Sequence, residues 1–165
     1  MSMIANLLRV TRAELEDYLN DSSLLESRIY NDETDEEDPN LVDIDQSWDG
    51  IVFLLTGHSF ENNTDPLAKV LFSDQVIDEE QDLGYGPGQY VTAEQVKELH
   101  EQIATISTDE LKKRFDAGKM KEAGVFPDVW DNPDTVDYLI EYFETIKEVY
   151  ALATKNDEAI ITFIN

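Results

Sequence analysis

The two ends of this chain constrain its fold more than anything between them. Residues 3–10 are apolar on both alternating faces except at Asn6 and Arg9, and residues 159–164 form a β-branched and aromatic run with almost no polar alternation. A strand that is apolar on both faces needs cover on both, so each run reads as an interior strand, and both are expected in one sheet. Asn6, a polar side chain within such a strand, is expected to find its partners internally.

Between these strands the helical signals are strong. Thr11 with Glu14 makes a capping box that opens a helix, with Leu15, Tyr18 and Leu19 as its buried stripe. The pattern recurs at Thr92 with Gln95, leading into Val96, Leu99, Ile103 and Ile106, and at Ser107 with Glu110, leading into Leu111 and Phe115. A longer helix is expected from an N-cap at Asn132, with Pro133 at its first position, through Leu139, Phe143, Ile146, Val149, Tyr150 and Ala153 to a stop near Asn156. Residues 48–55 and 66–72 also read as helical, the former ended by Gly57, while 89–91 and 75–77 are short strand candidates. Strands mixed with helices predict an α/β layer structure, a small mixed sheet packed with amphipathic helices, with α+β as the alternative. A length of 165 residues fits one domain spanning 1–165.

Charge narrows the function classes. Thirty-seven acidic against twelve basic residues give a formal charge of −25, a mean field that repels phosphate backbones and anionic lipid. Nucleic-acid and membrane-surface roles are therefore not expected. An apolar fraction of 41% separates the chain from acidic disordered sequences. No uncharged run is longer than the eleven residues of 50–60, about half of a bilayer span. Without cysteine there is no disulfide, thiolate metal site or thiol nucleophile, which fits a reducing compartment, and the expected location is the cytoplasm. The charge is uneven: residues 14–49 hold fourteen acids against Arg28 alone, net −13, whereas 93–122 hold seven acids against six bases. The densest stretch, 31–39, has six acids and no base and reads as a mobile loop.

The motifs that could carry chemistry are weak. The glycine-rich run 84–88 lacks the Lys of a phosphate loop, and Pro87 removes an amide, so it reads as a turn. His58 and His100 lie in different contexts, the first on a loop and the second at a core edge, and Gly57-His58-Ser59-Phe60-Glu61 fails the nucleophile-elbow pattern. The acidic run from Asp32 has neither the sixth-position Gly nor the twelfth-position Glu of an EF-hand, so neither a metal site nor a cofactor is expected. Trp48, Trp130, Tyr85, Tyr90 and Phe126 could line a pocket, but aromatic residues near helix ends more often fill cores.

Several segments taken together resemble the YfbM-like family of bacterial proteins. They are the opening Met1-Ser2-Met3-Ile4; Leu41-Val42-Asp43-Ile44-Asp45 with Trp48 and Leu54-Leu55-Thr56-Gly57; Tyr85-Gly86-Pro87 with Tyr90 and Val91; Phe126-Pro127 with Trp130; and the closing helix and strand. The resemblance implies a small cytoplasmic α/β domain of unknown function in which no catalytic residue is established. It places any shared site at Trp48, Thr56, Gly57, Tyr90 and Trp130, and the acidic insertion around 32–38 departs from the family pattern.

Two functional readings follow. In the first, an acidic face that includes Asp35, Glu36, Glu37 and Asp38 meets a basic protein, in the manner of an inhibitor or immunity protein. In the second, less favoured, a small-molecule binder or enzyme uses a pocket near Thr56, Gly57 and His58 and the loop at 85–90.

Overall fold

The computed structural model describes residues 3–31 and 37–165. Its centre is a four-stranded sheet in the order β2-β1-β4-β3, where β1 is Ala5–Val10, β2 Leu41–Asp43, β3 Gln89–Val91 and β4 Ala159–Ile164. The terminal strands are neighbours, paired from Ala5 with Ile164 to Val10 with Ala159. Every pairing is antiparallel, and the short β2 and β3 flank the two long strands. The 75–77 segment contributes one bridge, Val76 to Gln89, in place of a strand.

The double-faced apolarity of β1 and β4 is used as expected: both faces of the sheet are covered. Ala5, Leu7, Val91 and Ile160 join the larger core, built from the helices α3 (Trp48–Thr56), α4 (Ala93–Ala104), α5 (Thr108–Arg114), α6 (Ala117–Glu122) and α7 (Thr135–Lys155). Leu8, Val10, Ala159, Ile161 and Phe163 point the other way, against Leu15, Tyr18 and Leu25 of α1 (Arg12–Asn20) and α2 (Ser22–Ile29), with Ile77 and Leu83 sealing the edge. The result is a three-layer α/β arrangement with a two-helix outer layer. Asn6 donates to the Ile4 carbonyl at 3.2 Å and to Asn165 Oδ1 at 3.0 Å, so its polar group is satisfied within the sheet's end.

The capping boxes at Thr11–Glu14 and Thr92–Gln95 form in both directions, and Ser107 Oγ accepts from the Glu110 amide. Three local expectations are corrected. Leu19 is 42% exposed, because the chain turns at Asp21 into α2, whose Leu25 takes the buried position. The long helix begins at Thr135: Asn132 Oδ1 accepts from the Asp134 amide and its carbonyl from Thr135, so Asn132 and Pro133 belong to a turn ahead of it. The helical segment at 66–72 is a 3-10 turn over Pro66–Val70, tied to α7 by the Tyr150 hydroxyl, which donates to the Val70 carbonyl at 2.7 Å. Gly57 ends α3 in the left-handed region at φ 82°, as its sequence position predicts.

Candidate functional site

The outer layer begins with a charge arrangement local sequence alone does not reveal. Arg28, the single base in residues 14–49, donates from Nε to Asp38 Oδ2 at 2.8 Å and from Nη1 to Glu14 Oε2 at 2.9 Å and the Tyr18 hydroxyl at 3.0 Å. Glu14 Oε1 meanwhile accepts from the Thr11 amide, and Asp38 Oδ1 from the Asn40 amide. Partial burial pushes the Asp38 carboxyl up, but Arg28 and the Asn40 amide outweigh it and hold the group below the usual carboxylate range. The guanidinium thus fastens α1, α2 and the start of β2 together.

With Arg28 occupied internally and Arg12, at the start of α1, paired with Glu94 and Asp157, the remaining exposed charges of α1 and α2 are acidic. Glu16, Asp17, Asp21 and Glu26 are exposed, and none has a cationic partner among the described residues. Among them stand large apolar side chains: Leu19 at 42%, Leu24 at 48% and Tyr30 at 45% exposure. The following loop extends the face. Ser22 Oγ donates to Asp78 Oδ2 at 2.6 Å and Gln81 Nε2 to the Ser22 carbonyl at 2.8 Å, which brings the exposed Glu79 and Glu80 alongside α2. The Tyr30 hydroxyl donates to the Leu83 carbonyl and fixes the edge of the patch. Of the acidic residues expected at a partner face, Glu37 is exposed and Asp38 is engaged by Arg28, while Asp35 and Glu36 lie outside the described residues.

The other sequence-predicted residues do not converge. Trp48 and Trp130 are each 1% exposed, with indole N–H groups donating to the carbonyls of Met3 and Val125. Trp48 stacks on Phe126 at 5.1 Å and meets Phe60 edge-on at 5.2 Å, so it is a core anchor. Thr56 Oγ1 donates to the Val52 carbonyl and accepts from the His58 amide and Asn63 Nδ2, which occupies the hydroxyl. Thr56 and Gly57 line a hollow with Lys113, Arg114 and Lys119, whereas the exposed His58 belongs to a separate polar hollow with residues 61–65. Tyr90 lies in β3 opposite Ile161 and packs on the α1–α2 side of the sheet. The 85–90 loop borders a crevice of only about 60 Å³ with Thr162. In the 84–88 run Asp82 Oδ1 accepts from the amides of Gly84 and Gly86, closing the turn that the sequence predicts.

Sequence reasoning missed Asp49. This carboxylate is fully buried near the start of α3 and accepts from the Phe60 amide at 2.8 Å and the Phe126 amide at 2.9 Å. Desolvation raises its pKa against the opposing pull of the two amides. A lone acid at the head of the apolar helix WDGIVFLLT is the available sequence signal. Its partners show that it joins loops, and no second catalytic group accompanies it. Among the described residues no cluster of three or more His, Asp or Glu could hold a metal ion, and no helix is long and apolar enough to cross a membrane.

No curated protein matches the chain. Among solved structures, the protein of unknown function YfbM from Escherichia coli aligns over 99% of this chain and 100% of its own, with a TM-score of 0.76 and 16% identity, a likeness that shows the fold alone. The model of a domain of unknown function, DUF1877, matches residues 1–163, and the chain therefore belongs to that family.

Proposed function

We propose that this protein binds a basic protein partner in the cytoplasm through the outer face of α1 and α2. One observation carries the reading: Leu19, Leu24 and Tyr30 stand exposed with four carboxylates that have no cationic partner among the described residues, while Arg28 is held by Glu14 and Asp38. Protein interfaces combine apolar anchors with a polar rim, and charge of one sign selects and steers an oppositely charged partner. The net −13 of residues 14–49, including Asp35, Glu36 and Glu37 beyond α2, extends the attraction past the contact itself. Repulsion of phosphate and anionic lipid by the same field disfavours nucleic acid and membrane as alternatives.

The test is comparative capture. A tagged parent chain and a variant carrying Leu19→Ser, Leu24→Ser, Glu16→Gln and Asp17→Gln are incubated with lysate of the source cell at low salt. The expected result is a basic protein retained by the parent and lost from the folded variant. An acidic partner, or equal retention by both chains, overturns the reading.

A further inference from the structure

On the other side of the sheet lies a hollow whose lining carries a net positive charge. It sits between the C-terminal end of α3 and the α5–α6 junction, holds about 560 Å³, and is lined by Phe53, Leu54, Leu55, Thr56, Gly57, Lys113, Arg114, Phe115, Asp116 and Lys119. Three cations there face a single carboxylate. The linings at the β2 edge, beside Tyr138 and beside His58 each carry a net charge of −2, and the crevice at Thr162 is neutral.

Each charged group has an identifiable role. Arg114 Nη1 donates to the Leu54 carbonyl at 3.1 Å, which places a guanidinium at the negative end of the α3 dipole. Asp116 Oδ1 accepts from the Lys119 amide at 3.1 Å and so caps α6. Lys113 and Lys119 are different: both are exposed, neither has a carboxylate partner, and both border the same hollow. Among the described residues five lysines have no carboxylate partner, Lys69, Lys113, Lys119, Lys147 and Lys155, and of these Lys113 and Lys119 border one hollow together. The half-buried ring of Phe115, over the buried Leu54 and Leu55, gives part of the lining an apolar surface, and the volume suits a small organic molecule.

We infer that this hollow binds a small organic anion, its carboxylate held by Lys113 and Lys119 and its apolar body seated against Phe115. A single charge fits better than several, because the chain's field of −25 opposes a multiply charged ligand everywhere except at short range. The site is independent of the partner face, which lies across the sheet.

The experiment titrates the full isotopically labelled chain with benzoate, neutral benzamide and inorganic phosphate, following backbone amide resonances. Benzoate should produce saturable shifts confined to residues 53–57 and 113–119. Its apparent Kd should rise about tenfold in K113Q/K119Q, whose retained spectrum reports an intact fold, and should also rise with salt. Benzamide should bind at least about tenfold more weakly than benzoate. Absence of saturable shifts at these residues, equal binding of benzamide, or benzoate binding unchanged in the double variant overturns the assignment. Phosphate binding as tight as benzoate overturns the role given to the apolar part of the lining.

Discussion

Leu7 and Leu8 are adjacent in β1 and point to opposite faces of the sheet, with exposures of 0% and 1%. If both layers seal the sheet, truncating either leucine must cost about the same. A buried Leu→Ala change removes transfer free energy and leaves a cavity, together about 2–5 kcal/mol. For a chain of 165 residues this corresponds to a fall in melting temperature of about 4–20 °C. Leu7→Ala and Leu8→Ala should each lower the urea midpoint by that free energy divided by the unchanged slope, measured by circular dichroism in the absence of any partner. The comparison is sharper than either value. A loss below about 0.5 kcal/mol for Leu8→Ala beside a large loss for Leu7→Ala would mean that α1 and α2 do not close their face of the sheet. The proposed partner surface would then lack a fixed support.

Other consequences are separable. Gly84 has φ +138°, and a Cβ there would stand 2.6 Å from Asn165 Cα, so Gly84→Ala should destabilise by about 1–3 kcal/mol in thermal unfolding. Deleting residues 159–165 removes the strand between β1 and β3 and should abolish cooperative unfolding; a transition as sharp and as high as the parent's would refute the role of β4. The Asp38 carboxyl lies lower in the folded chain than in the unfolded one, so its contribution is present above the ordinary carboxylate pKa and is lost as pH falls through the folded value. Asp38→Asn should accordingly cost about 1–2 kcal/mol at neutral pH, and the difference from the parent should shrink below about pH 4 in paired denaturation series.

What could be read from the sequence was local or periodic. Both terminal strands announced themselves through double-faced apolarity, and Thr11–Glu14 and Thr92–Gln95 gave helix starts that the structure keeps. The short helices α2 and α6 each bury a single residue, Leu25 and Met120, and so show no stripe. The site depends on distant partners. Asp49 bonds to amides 11 and 77 residues away, and Arg28 reaches back 14 residues to Glu14 and forward 10 to Asp38. No helical or strand periodicity marks such pairs. For the same reason Trp48, Thr56, Tyr90 and Trp130 read as one candidate site although tertiary packing divides them between two faces of a sheet.

The central claim is that the α1–α2 face steers and anchors a basic partner. Its most direct test is the association rate of the captured, purified partner, measured by surface-immobilised kinetics from about 50 to 500 mM salt, a range over which the Debye length falls severalfold. The account predicts an on-rate that drops at least about tenfold across the series and is already low at 50 mM when Glu16, Asp17, Asp21 and Glu26 are neutralised, with Leu24→Ser acting mainly on the off-rate. An on-rate indifferent to both salt and these substitutions would contradict it.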